Sequence, residues 1–90
     1  GCALANAAVE LDPGHPARGV IESYKRRKHD RLVEVFRAAR YREPERLADE
    51  VFLLFEGARI SLQCGGAGPA SRLVAMLRSL LAASPRDAAK

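Results

Sequence analysis

The stretch 47–64, LADEVFLLFEGARISLQC, constrains this chain more than any other. Within it Val51, Phe52, Leu53, Leu54 and Phe55 are five consecutive apolar residues. Successive side chains on a helix are about 100° apart, so five in a row point in every direction around the axis. A helix that is apolar all round has to be covered all round. A short apolar run alone does not separate a strand from a buried helix. Here, however, it is embedded between Leu47, Ala48 and Ala58, Ile60, Leu62 at helical spacing. Pro44 suits a first helical turn, and Glu43, Glu45, Asp49 and Glu50 suit the positive end of the helix dipole. Gly65-Gly66 offers a stop. The stretch therefore reads as a central helix. In a 90-residue chain little else is available to cover it, so one side is expected to pack inside its own subunit and the other against a second copy.

Ninety residues make one small domain with a modest core. The opening at Gly1, running directly into helix-like sequence, reads as a piece of a longer protein. No apolar run reaches the roughly 18 residues that span a bilayer, and no charged stretch followed by an apolar run marks a signal peptide. Cys2 and Cys64 lack CxxC spacing and read as buried, reduced thiols in a cytoplasmic protein.

The remaining helices follow from periodicity and breakers. Residues 1–11, rich in Ala and Leu, carry an apolar stripe of Leu4, Ala7, Ala8 and Leu11, with Asn6 and Glu10 together on another face. Asp12-Pro13-Gly14-His15 is a turn. Pro16 restarts the chain, and Val20, Tyr24, Leu32, Val35, Phe36 and Ala39 keep helical spacing to about Arg40. Tyr41-Arg42-Glu43-Pro44 is the next turn. Cys64-Gly65-Gly66-Ala67-Gly68-Pro69 is a connector, and Pro69 begins a last helix, 69–83. There Leu73, Val74, Met76, Leu77, Leu80 and Leu81 make a wide apolar face. Ser84-Pro85 stops it, leaving 85–90 as a flexible tail. The chain reads as all-α: four helices, no strand and no internal repeat.

Few motifs carry chemistry. The glycines at 65, 66 and 68 follow a helix and precede Pro69-Ala70. A phosphate loop would need a strand before them and a Lys-Ser/Thr pair after them. His15 and His29 have no metal-ligand spacing, and His15 is better placed as the cap of the helix beginning at Pro16. No spacing argues for a catalytic triad, so neither enzyme activity nor a cofactor is expected. The net charge of +4 is concentrated in Lys25, Arg26, Arg27, Lys28 and Arg31, offset within the run by Asp30. Such a run permits an acidic or nucleic-acid partner. Four consecutive residues spread around a helix, though, and no aromatics interleave with them for base stacking, so a solvated face accounts for them. Glu56, Arg59 and Gln63 share one side of the central helix. They are either a surface ion pair or a polar anchor at a ligand cavity or a dimer contact. Gly57-Ala58 beside them would suit a close helix-helix approach, since Gly costs about 1 kcal/mol in a helix relative to Ala.

Taken in order, Gly1-Cys2-x-Leu4-x-Asn6-Ala7-Ala8-x-Glu10-Leu11, the turn Asp12-Pro13-x-His15-Pro16-x-Arg18, a long charged helix, and Leu47-Ala48-x-x-x-x-Leu53-Leu54-x-Glu56-Gly57-Ala58 resemble the C-terminal regulatory domain of TetR-family transcriptional regulators. The similarity runs from Gly1 to about Ser84. It implies a cytoplasmic, all-helical, ligand-sensing and homodimerising domain of a transcriptional repressor. The last two helices, 47–64 and 69–83, would pair with their mates in a four-helix interface. A small-molecule effector would alter operator-DNA affinity, and that affinity would reside in an N-terminal helix-turn-helix domain that these residues do not include. No membrane partner is implied. The inner faces offer Asn6, Glu10, Tyr24, Phe52, Phe55, Glu56 and Arg59 as ligand-contacting residues. Leu54, Ala58, Leu62, Leu73, Met76, Leu77 and Leu80 are the candidates for the dimer interface. Two other readings stay open: a small basic helical protein binding nucleic acid directly through 25–31, and a helical dimerisation module without a ligand.

Overall fold

A computed structural model describes residues 12–88. They form four helices, α1 (Pro16–Ala38), α2 (Pro44–Gln63), α3 (Ala67–Ala70) and α4 (Leu73–Ala83), and no strand among the described residues. The helix expected over residues 1–11 lies outside them, as do Cys2, Asn6 and Glu10.

Each helix boundary has a local cause. The Nδ1 of His15 accepts a hydrogen bond from the Ala17 N–H at 3.1 Å, capping α1 as its sequence position suggested, with Pro16 as first helical residue. Its end is a Schellman turn. Tyr41 N–H reaches back to the Phe36 carbonyl (3.1 Å) and Arg40 N–H to that of Arg37 (3.0 Å). This turn requires a left-handed residue, and Arg40 occupies that position at φ 70°. The usual apolar contact across the turn is the edge-to-face pair Phe36–Tyr41, with ring centroids 5.7 Å apart. The same turn ends α2, with Gly65 at φ 80° and Gly66 N–H on the Ser61 carbonyl at 2.6 Å. A Cβ on Gly66 would stand 3.0 Å from that carbonyl oxygen, so both glycines are required.

The final helix is not the continuous 69–83 that its apolar spacing suggests. Pro69 sits inside the short α3, and the chain breaks at Ser71-Arg72 before α4. The Ser71 hydroxyl donates to the Gly68 carbonyl at 2.6 Å and Arg72 N–H to the Pro69 carbonyl at 3.1 Å. The Ser71 hydroxyl thus takes the carbonyl that the Arg72 N–H would meet in a continuous α-helix, and Arg72 bonds i−3 instead.

The segment after Ser84 departs from the expected flexible tail through residue 87. Arg42 N–H donates to the Pro85 carbonyl (3.0 Å) and Asp87 N–H to the Arg40 carbonyl (2.9 Å), an isolated bridge between Tyr41 and Arg86. Arg86 lies over the Tyr41 ring, 5.1 Å from its centroid, and Arg42 pairs with Asp87 at 3.0 Å. The backbone of the Tyr41 turn has unused groups, and the tail satisfies them.

The core is a cluster of Val33, Phe36, Leu47, Ala48 and Val51, flanked by Leu32, Tyr41, Leu77, Leu80 and Leu81. It sits at the joined end of the α1–α2 hairpin, with α4 laid across it. The fold is a slab of 48 × 32 × 13 Å. Its thickness is close to the roughly 10–12 Å diameter of one helix, so the described elements leave much of the central helix without cover.

Candidate ligand groove and uncovered apolar face

The five-residue apolar run resolves into two stripes on α2. Pro44, Leu47, Ala48 and Val51 are buried, and Phe52, Phe55, Glu56 and Arg59 continue the same stripe at i, i+3, i+4 and i+7 beyond the core. The opposite stripe is Glu50, Leu53, Leu54, Gly57, Ala58 and Ser61, which faces α3 and α4 across shallow hollows.

The first stripe faces α1, which presents Tyr24, Arg27, Lys28 and Arg31 at the same spacing. Between them lies a groove of about 470 Å³, lined also by Leu32. The rings of Tyr24, Phe52 and Phe55 supply its apolar surface, and the cationic groups lie on its walls. The two helices are tied at its border. Lys25 Nζ lies 2.7 Å from Glu56 Oε1, both side chains about two-thirds buried. His29 Nε2 lies 2.6 Å from Asp49 Oδ1, and its ring meets Phe52 edge-on at 6.3 Å. Lys28 Nζ sits over the Tyr24 ring, 4.7 Å from its centroid, at cation–π distance.

All the described candidates for ligand contact, namely Tyr24, Phe52, Phe55, Glu56 and Arg59, line this one groove. Of the two readings of Glu56, the structure has it bonded across helices to Lys25, at the groove wall. Gln63 is exposed and is not part of the lining. Sequence reasoning missed Arg27, Lys28, Arg31 and Leu32. The signal was present, because positions 24, 27, 28 and 31 form a stripe once Tyr24 is taken as its origin. Reading the basic run as a purely solvated face hid it.

Among the residues proposed for a dimer interface, Leu54, Ala58, Leu73, Met76 and Leu80 line the hollows of the α2–α4 face. Leu62 is open to solvent at 58% exposure, as are Leu53 (67%) and Val74 (58%). Leu77 packs against the chain's own core, and so does Leu80 from the edge of that face. Gly57 makes no close helix approach among the described residues: a Cβ there would meet none of them within 4 Å. Cys64, expected to be buried, is an exposed free thiol at the end of α2.

Among the described residues no three His, Cys, Asp or Glu side chains are grouped to hold a metal ion, and no helix is long and apolar enough to cross a membrane. Comparison with known proteins gives no match to a family model, a curated protein or a solved structure.

Proposed function

We propose that this chain is the effector-sensing and dimerising part of a TetR-like transcriptional repressor. The observation that carries the reading is the division of α2 into two stripes. One, with α1, makes a concave aromatic groove of about 470 Å³, within the range of roughly 300–1,000 Å³ usual for small-molecule sites. The other, with α4, is an apolar surface on which Leu53 and Met76 stand exposed. A contiguous apolar surface of this kind marks an association site, and a second copy of the chain supplies a matching one. One helix thus borders both the effector and the subunit contact. A ligand that favours one placement of α2 shifts the dimer geometry in proportion to its differential affinity for the two states. Operator contact belongs to a helix-turn-helix domain outside these 90 residues.

The test is Leu53→Glu with Met76→Glu. Both side chains are largely outside the core, so the fold survives while a charge enters the proposed contact. Light scattering should report loss of the dimer with helical circular dichroism unchanged. A double variant that keeps the wild-type mass would remove this face from the account.

The direct nucleic-acid reading has less support, since Lys25 is engaged by Glu56 and Lys28 by Tyr24. Only part of the basic run is left to follow a phosphate backbone.

A further inference from the structure

The groove lining has a charge character that the effector reading leaves unused. Among the described residues its lining carries Arg27, Lys28 and Arg31 on α1 and Arg59 on α2, with Glu56 as the carboxylate. That carboxylate is already met by Lys25 at 2.7 Å. Arg27 and Arg31 are four apart on α1 and therefore share the groove wall. Neither has a side-chain partner among the described residues.

We infer that the groove takes an organic anion with a flat apolar body, an aryl carboxylate or a group equal to it in charge and size. The inference rests on the groove being the effector site, as proposed above. The rings of Phe52 and Phe55 offer a flat apolar body the contact it needs, and the planar guanidinium forks of Arg27 and Arg31 match a carboxylate bidentately. A cationic ligand would be repelled by Arg27, Lys28 and Arg31, and the face of Tyr24 that would attract it already carries Lys28. A neutral ligand of the same shape would cover the guanidinium groups without pairing them, and burying an unpaired charge is costly.

The experiment uses 2-naphthoate and 2-naphthamide, equal in shape and different in charge, titrated into the isotopically labelled chain and followed by amide chemical shifts. Naphthoate should move the amides of Tyr24, Lys28, Phe52 and Phe55, and bind about tenfold or more tightly than naphthamide. The variant Arg27→Gln with Arg31→Gln should erase that preference while its spectrum stays that of a folded chain. If both probes enter the groove equally, or the variant keeps the preference, the anion inference is overturned and the effector site stands. If neither probe moves the groove residues, the inference falls together with the effector reading.

Discussion

Lys25 Nζ and Glu56 Oε1 meet at 2.7 Å, and this pair ties α1 to α2 across the seam at the groove wall. The two side chains are about a third exposed, so the pair is neither a screened surface contact nor a fully desolvated one.

Lys25→Met alone should destabilise the fold by about 1 kcal/mol, between the values for exposed ion pairs and for buried charge-assisted hydrogen bonds. Part of that cost is Glu56 left without its partner. Adding Glu56→Leu should restore some of the loss, because the site then holds two apolar side chains. Urea unfolding of the two singles and the double measures the coupling. Strict additivity would mean that the pair contributes nothing to the seam.

Arg40 and Gly65 hold the same left-handed position in the two Schellman turns, and they predict opposite outcomes. Arg40→Gly removes the Cβ penalty, partly offset by the entropy of a glycine in the unfolded chain, and should stabilise by about 0.5–1 kcal/mol. Gly65→Ala imposes that penalty and should destabilise by about 1 kcal/mol. Thermal melts that moved both variants in the same direction would show that the turns do not govern the helix ends. The buried Nε of Arg40 has no hydrogen-bond partner among the described residues, so little bonding with them is lost when the side chain goes.

Removing residues 85–90 should cost about 1 kcal/mol, since it deletes two backbone hydrogen bonds, the Arg42–Asp87 pair and the Arg86–Tyr41 contact. Amide exchange offers a second view. In the full chain the Arg42 and Asp87 N–H groups should be protected relative to exposed loop amides. Equal exchange would mean that the segment is loose after all.

Ala48 is wholly buried, between α1 and the rest of the core. Ala48→Leu overfills that contact and should destabilise by about 1–3 kcal/mol, whereas Leu53→Ala on the open face should change the stability of the isolated chain by a few tenths at most. Comparable losses from the two substitutions would contradict the division of α2 into a covered and an uncovered stripe.

Much of this arrangement is legible in the sequence. The Val51–Phe55 run reads as part of a central helix, and Pro16, Pro44 and Gly65-Gly66 mark boundaries the chain respects. His15 as a cap follows from its place before Pro16. What the sequence hides is what depends on tertiary placement. Leu77 and Leu80 share the wide apolar face of Leu73 yet pack against the chain's own core, and periodicity does not encode which part of that face meets the hairpin end. The break at Ser71-Arg72 comes from a hydroxyl bonding one carbonyl, a local competition that leaves the apolar pattern intact. Lys25 to Arg31 read as solvent-facing because charge alone does not reveal that Tyr24 and Phe55 lie beside it across a groove.

The most direct measurement is the molar mass of the unmodified chain by size exclusion with light scattering across a dilution series. The mass of one chain is 9.8 kDa. If a second copy covers the α2–α4 face, as proposed, the mass in solution should be twice that value, held into the low micromolar range. A folded monomer at every concentration would contradict it, and would mean that this apolar face is covered by something other than a second copy of the chain.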